Sequence, residues 1–484
     1  MAEAPTHLPQ DRESYPGATP NPIRQVAQEP VSTFSIDVDT AAYSNVRRFL
    51  NRDSLPPRDA VRVEELLNYF DYGYRAPARG GDPFAATVSV VPSPWSKGHR
   101  LLHIGLQGFE LPKGEQPPLN LVFLIDTSGS MMGPDRLPLA KKAMDILVEQ
   151  LGKRDRVAIV AYAGSAGAVL EPVDGLQKTK IRCALDYLEA GGSTAGGRGL
   201  ELAYALARQN FDPKAVNRVV LLTDGDFNVG VASPERMRDL VSEQRGSGVY
   251  LSVYGFGRGN YQDRMMQALA QNGNGTAAYI DSFSEAKKLF LTDFAKGMFP
   301  IADDVKIQVE FNPATVREYR LIGYETRMLA REDFNNDRVD AGEVGSGAAV
   351  TAIYEIVPAG ASGSVDPLRY GKTAAKAGKG GEYAFLKLRY KRPGEAVSRL
   401  MQRPIGAGDH VAKLAAAPEA TRWAVAVAGF GERLRGSPHL EPGFGLPQVA
   451  ALAESAKGAD PHGERAEFVT LVRRAEKLLP EGRD

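Results

Sequence analysis

Phe123-Leu-Ile-Asp126-Thr-Ser128-Gly-Ser130-Met131 decides how this chain is read. Three apolar residues lead into a carboxylate, and two hydroxyls follow at alternate positions. The apolar run begins at Leu121 and reads as a short buried strand. In an open α/β sheet, ligands bind outside the carboxyl ends of the strands, which is where the loop after Asp126 falls. Two further stretches offer the same chemistry. Gly191-Gly-Ser-Thr194-Ala-Gly-Gly-Arg-Gly199 precedes a helix and presents the Thr194 hydroxyl. Val219-Val-Leu-Leu-Thr-Asp224-Gly225-Asp226 ends a second apolar strand in a carboxylate. Asp126, Ser128, Ser130, Thr194 and Asp224 are all hard oxygen donors, suited to Mg²⁺, Mn²⁺ or Ca²⁺ rather than zinc or copper. Helix caps also favour Asp, Ser and Thr, but capping does not call for two aspartates after two apolar strands. Asp226 reads as a solvated turn residue or as support for a ligand.

Outward from these loops, residues 119–298 alternate strand and helix. Strands are predicted at 121–125, 157–162, 219–223, 250–256 and 277–280, and helices at 137–151, 178–189, 198–209, 234–245, 262–272 and 284–296. Short, continuously apolar strands between amphipathic helices predict a mostly parallel sheet covered on both faces.

The flanks have a different texture. Residues 1–30 are rich in Pro, Gln, Glu and Gly and read as a flexible or surface-draped arm. Residues 31–80 read as an N-terminal helical region that opens with a short strand, its second helix carrying Val63, Leu66, Leu67 and Phe70 on one face. Strand-like patterns over 84–112 and 302–393 are expected to pair into one β-sandwich split by the α/β segment. Residues 359–382, dense in Gly, Ser, Ala and Lys, read as a long mobile hairpin loop. Residues 411–484 form a C-terminal helical region, with Phe468, Leu471, Val472, Ala475 and Leu478 on one helix face.

The order Asp-x-Ser-x-Ser, a distant Thr, then Thr-Asp-Gly resembles the metal-ion-dependent adhesion site of von Willebrand factor type A (VWA) domains. The resemblance implies one divalent cation, Mg²⁺ first and Mn²⁺ or Ca²⁺ also compatible, held by Asp126, Ser128, Ser130, Thr194 and Asp224. It implies a partner protein that presents an Asp or Glu carboxylate to that cation. It also implies an α/β fold class: a Rossmann-like, mostly parallel sheet with helices on both faces, inserted in a β-sandwich, with helical segments at both ends. Tyr254-Gly-Phe-Gly-Arg-Gly-Asn-Tyr-Gln-Asp263 and Gly273-Asn-Gly-Thr-Ala-Ala-Tyr-Ile-Asp281 are similar to the bacterial VWA subgroup. Thr33-Phe-Ser-Ile-Asp-Val-Asp-Thr40, Arg62-Val-Glu-Glu-Leu66, and Asp333-Phe-Asn-Asn-Asp337 with Ala341-Gly-Glu343 resemble the flanks of YfbK-like proteins. Such proteins are usually exported, often as lipoproteins. Integrin-type members couple the site to a C-terminal helix, here 284–296; a static site is the expectation for this chain.

Composition sets limits on function. In 484 residues, Lys+Arg and Asp+Glu are both 59, so the basic excess of a nucleic-acid binder is missing. The lone Cys183 excludes an intramolecular disulfide and reads as a small buried hydrophobe. No apolar run reaches the ~20 residues of a membrane span. The segment from Met1 to His7 has no signal-peptide pattern, so either the protein is cytoplasmic or its numbering starts after a removed export segment. The envelope or periplasm follows from the resemblance.

Catalysis is not expected. Residues 119–298 contain no histidine, and all six histidines lie elsewhere without zinc spacing. The Gly191–Gly199 loop has no Walker A lysine. Asp37-Val-Asp39-Thr40 imitates a phosphatase motif but continues with Ala41 and reads as a capped helix start. Asp333-Phe-Asn335-Asn-Asp337-Arg-Val-Asp340 echoes a calcium loop, yet Arg338 and Val344 replace its glycine and glutamate; a polar turn is expected. The leading expectation is a metal-dependent interaction or adhesion module. The alternatives are a recruitment factor for an AAA+ or envelope complex, and a metal-dependent hydrolase.

Overall fold

A computed structural model describes residues 13–15, 17, 19–36, 38–194, 196–225, 234–365 and 381–479. From the amino end come strands β1 (Arg24–Gln25) and β2 (Val31–Ser35), helices α1 (Ala41–Leu50) and α2 (Val63–Asn68), and strands β3 (Phe84–Pro92) and β4 (Arg100–Gly108). The alternating segment follows: β5 (Leu119–Asp126), α3 (Leu137–Gln150), β6 (Arg156–Tyr162), β7 (Ala166–Asp174), α4 (Lys178–Asp186) and α5 (Gly196–Gln209). It continues through β8 (Val216–Thr223), α6 (Pro234–Gly246), β9 (Val249–Phe256), α7 (Asp263–Asn272), β10 (Ala277–Ile280), α8 (Phe283–Lys287) and α9 (Phe294–Met298). Six strands come next: β11 (Pro300–Phe311), β12 (Val316–Ile322), β13 (Gly342–Gly345), β14 (Ala349–Pro358), β15 (Glu382–Lys391) and β16 (Arg399–Gly406). Helices α10 (Glu419–Arg435), α11 (Leu446–Ser455) and α12 (Glu464–Leu478) close the chain. These elements fall into two units, Met1–Pro16 with Leu111–Phe299 and Gly17–Glu110 with Pro300–Asp484.

In the first unit, six strands form one sheet in the order β10-β9-β8-β5-β6-β7. All neighbours pair in parallel except β7, which runs antiparallel to β6 at the edge. Every residue of β5 and β8 is buried. A strand covered on both faces needs no polar alternation, hence the continuous apolar runs. Their register sets Ile125 beside Leu222, so Asp126 and Asp224 leave the sheet at one edge. β7 is not among the predicted strands, because an edge strand with three successive exposed residues lacks an apolar run. The helix expected over 284–296 is broken. α8 stops at Lys287, a π turn spans Lys288–Thr292, and α9 starts at Phe294. At the break, the Asp293 carboxylate lies 3.0 Å from Lys288 Nζ and 2.7 Å from Lys296 Nζ. Cys183 is exposed rather than buried, since Ile181, Ala184 and Leu185 occupy the inward face of α4.

The second unit is a sandwich with a helical cluster. One sheet runs β1-β12-β14-β4-β3, the other β13-β11-β15-β16 with β2 also beside β11. Aromatic rings join the two faces: Phe311 stacks on Tyr319 at 4.2 Å between centroids, and Phe84 meets Tyr390 edge-on at 5.5 Å. β3 and β4 precede the α/β segment in sequence, yet they share a sheet with β12 and β14, which follow it. Around α1, α2, α10, α11 and α12 a common core forms, where Phe70, Trp423 and Phe468 meet with centroids 5.2 to 5.5 Å apart. Thr40 occupies the N-cap position of α1 without a side-chain bond; Glu65 of α2 instead accepts from Ala42 N at 2.7 Å.

Three predicted boundaries shift. β2 pairs with β11, so 31–35 belong to the sandwich rather than to a helical region over 31–80. β16 carries the sandwich to Gly406, beyond the expected 393. The arm over 1–30 is held where it is described: Ser14 bridges to Gln262 in the first unit, and β1 pairs with β12 in the second. Most of the loop expected over 359–382 lies outside the described residues. Among the described residues, no helix is long and apolar enough to cross a membrane.

Candidate metal centre

Asp126 is the last residue of β5 and has no exposed surface. Its Oδ1 accepts the Ser128 amide at 2.9 Å, the turn an aspartate side chain makes with the backbone two residues on. Its Oδ2 accepts two hydroxyls, Tyr162 Oη at 3.1 Å and Thr223 Oγ1 at 3.1 Å. The chain then makes a single 3₁₀ turn, Gly129–Met131, that places Ser128 Oγ and Ser130 Oγ 2.9 Å apart. Ser128 is buried and Ser130 half-buried.

The second loop is stitched to the first through the backbone. Gly191 N donates to Thr127 O at 2.8 Å, and Gly129 N donates to Gly192 O at 3.0 Å. Thr194, half-buried, stands two residues beyond Gly192. The structure therefore brings Asp126, Ser128 and Ser130 into one hydrogen-bonded cluster, places Asp224 beside it through Thr223, and places the Thr194 loop against it.

Asp224 also has no exposed surface. Gly225 follows with φ +95°, and a Cβ there would stand 2.6 to 2.8 Å from Gln262 N, Asn260 O and Tyr261 Cα. The Thr-Asp-Gly step is thus packed against the segment after β9. Arg136 brings a positive charge toward Asp224, with Nε 4.0 Å from Asp224 Oδ2. Burial first, and then the charge of Asp224, push the Asp126 carboxyl up to about 6, against the lowering effect of its hydrogen bonds. Burial also keeps the Tyr162 hydroxyl protonated, so it serves Asp126 as a donor.

Two sheltered carboxylates, three hydroxyls and no nitrogen or sulfur donor fit a hard divalent ion. Tyr162, Thr223 and Arg136 belong to this centre and escape the sequence reading. Thr223 was within reach, since it precedes Asp224 at the end of an apolar strand. Tyr162 and Arg136 carry no signal in spacing, because only the fold brings them here.

Other candidates resolve differently. Asp226 and Asp37 lie outside the described residues, while Asp39 accepts from Arg327 Nη2 at 2.9 Å. In the calcium-like stretch, Lys306 Nζ donates to Asp333 O at 3.1 Å and Asn336 O at 2.6 Å, and Lys391 Nζ to Asp337 O at 2.8 Å. The ammonium groups of the chain itself take these carbonyls. The Asp304, Asp340 and Glu343 carboxylates come within 4.8 Å of one another, with Lys391 paired to Asp304.

Three family models match the chain: "Uncharacterized protein YfbK, C-terminal" over residues 296–478, "von Willebrand factor" over 9–103, and "von Willebrand factor type A domain" over 120–292. The chain is 46% identical to Uncharacterized protein YfbK of Escherichia coli (strain K12) over 464 residues, covering 94% of this chain and 80% of that one. It is 31% identical to inter-alpha-trypsin inhibitor heavy chain H4 of Sus scrofa over 185 residues, covering 37% of this chain and 20% of that one. Among solved structures, von Willebrand factor type A from Catenulispora acidiphila is similar with a TM-score of 0.45 and 17% identity, covering 84% of this chain and 91% of that one.

Proposed function

Since the chain belongs to the YfbK family of von Willebrand factor type A proteins, we propose that it binds a protein partner through one divalent cation at the centre described above. Asp126, Ser128, Ser130, Thr194 and Asp224 hold the ion in this reading, with Mg²⁺ first and Mn²⁺ or Ca²⁺ as substitutes. An Asp or Glu carboxylate of the partner completes the donor set. Bound there, the ion supplies an electrophilic position for an incoming anion.

The observation that carries the reading is the placement of two fully buried carboxylates at the same strand edge as two serine hydroxyls 2.9 Å apart. Ser128 and Ser130 donate neutral oxygens, which leave more positive charge uncompensated than further carboxylates would. Tyr162, Thr223 and the Ser128 amide fix the Asp126 carboxylate from three sides. Ser130 keeps the cluster open toward solvent. VWA domains often mediate protein contacts and often bind a divalent cation, which supports the same reading.

Binding is favoured over catalysis by the groups at hand. Residues 119–298 have no histidine to act as a general base, and the Tyr162 hydroxyl is committed to Asp126. The site of action we propose is the bacterial envelope, following the family resemblance.

Co-purification from cell extract tests the reading, with wild type and Asp126→Ala compared in Mg²⁺ and in EDTA. The expected result is a set of proteins captured by wild type in Mg²⁺ and lost in both EDTA and the variant. Capture unaffected by both changes would sink the reading. Phosphatase turnover abolished by Asp126→Ala would replace it with a metal-dependent hydrolase.

A further inference from the structure

Arg136 immediately precedes α3, and its guanidinium lies among the site loops. Nη1 donates to Ser130 O and, at 3.4 Å, to Met132 O, while Nη2 donates to Arg258 O at 2.6 Å. Nε faces Asp224 Oδ2 at 4.0 Å. Space for the side chain depends on Gly257 (φ +68°), where a Cβ would fall 2.4 Å from Arg136 Cγ. Three carbonyls therefore fix the direction of the guanidinium, but carbonyls do not cancel its charge. The Asp224 carboxylate is a group of opposite formal charge that it faces.

Charge balance follows from this arrangement. Among the described residues, Asp126, Asp224 and Arg136 formally sum to one negative charge, and a divalent ion turns that sum into one positive charge. An uncompensated charge is costly at a sheltered site. Resting on the cation reading above, we propose that Arg136 is a built-in counter-charge that weakens the hold on a divalent ion alone and favours a singly charged carboxylate as its companion. Over these three residues and the ion, a carboxylate brings the formal sum to zero; a phosphate dianion overshoots it. Arg136 acts here as a positioning and specificity-determining residue, through charge at a fixed place.

Titration of the full chain with Mn²⁺, followed by the loss of the free-ion paramagnetic resonance signal, tests this in chloride and in acetate at equal ionic strength. Wild type is expected to bind Mn²⁺ about threefold or more tighter in acetate. Arg136→Gln removes the charge and is expected to bind Mn²⁺ about tenfold tighter in chloride, with little further gain from acetate. Arg136→Lys keeps the charge and is expected to stay within about threefold of wild type. A wild type indifferent to acetate overturns the proposal, as does a folded Arg136→Gln that binds Mn²⁺ no tighter than wild type. Should Arg136→Gln not fold, the acetate comparison on wild type decides alone. A wild type that takes up no Mn²⁺, or an Asp126→Ala that takes up as much, defeats the cation reading itself. Mn²⁺ uptake lost in Asp126→Ala but unchanged in Arg136→Gln defeats only the role of Arg136.

Discussion

Gly225 follows a proposed ligand, and two independent constraints fall on it: a positive φ and the backbone of Asn260–Gln262 closer than any Cβ tolerates. Gly225→Ala is expected to lower stability by about 2 kcal/mol or more, read as a drop in the thermal midpoint; an unchanged midpoint contradicts the packing argument. A second residue-level expectation concerns acid. Burial lowers the His103 pKa to about 3, while Tyr74 Oη and Thr421 Oγ1 bond its ring. A depressed pKa contributes stability that is present above the unfolded value, ~6.5, and is lost as pH falls toward 3. His439, lowered mainly by burial, acts in the same sense. Glu355, held at about 2 by His99 and Arg320 against its burial, loses its contribution only below the ordinary carboxylate range. His99, raised chiefly by its bond to Glu355, loses its contribution as pH rises above 6.5. From pH 6.5 to 4.5 His103 works against Asp126, whose carboxyl, raised to about 6, takes up a proton in the fold first and so adds stability as pH falls. Relative to wild type, the urea midpoint of His103→Asn should gain as pH falls through that window; equal slopes would refute this. At this scale the oxygen donors were legible because strand ends announce themselves, whereas Arg136 and Tyr162 were not.

Elements repeat that division. Central strands β5 and β8 were readable as apolar runs because both their faces are covered. Edge strands β7 and β16 were not, since half-exposed residues leave no run to recognise. The helix over 284–296 has good periodicity, yet it is interrupted where Asp293 draws Lys288 and Lys296 together. Asp293→Ala leaves the two ammonium groups facing each other without that carboxylate. Amide exchange across 288–296 should then accelerate by roughly tenfold or more, the equivalent of about 1.4 kcal/mol of local stability. Exchange as slow as in wild type would mean that the ion pairs do not hold the turn.

At the scale of the whole molecule, among the described residues no sheet mixes strands from the two units. All six strands of the parallel-rich sheet come from residues 119–280, and the sandwich strands come from 24–108 and 300–406. Two heat-absorption transitions are expected in calorimetry, with Mn²⁺ raising only one of them. At one hundred times its dissociation constant the ion should add about 2.7 kcal/mol to that unit; a single transition, or two that shift together, would argue against independent units. The sequence by itself determined the α/β alternation, the strand-end donors, the interruption of the sandwich and the amphipathic C-terminal helix. Each is written in local periodicity or in a short motif, and burial imposes such patterns directly. Tertiary structure alone decided that Glu65 caps α1, that β2 crosses into the sandwich, that Lys306 and Lys391 bond carbonyls of the calcium-like turn, and that Arg136 faces Asp224. Those partners are far apart along the chain, and their pairing depends on charge and geometry meeting in space, which no local pattern records.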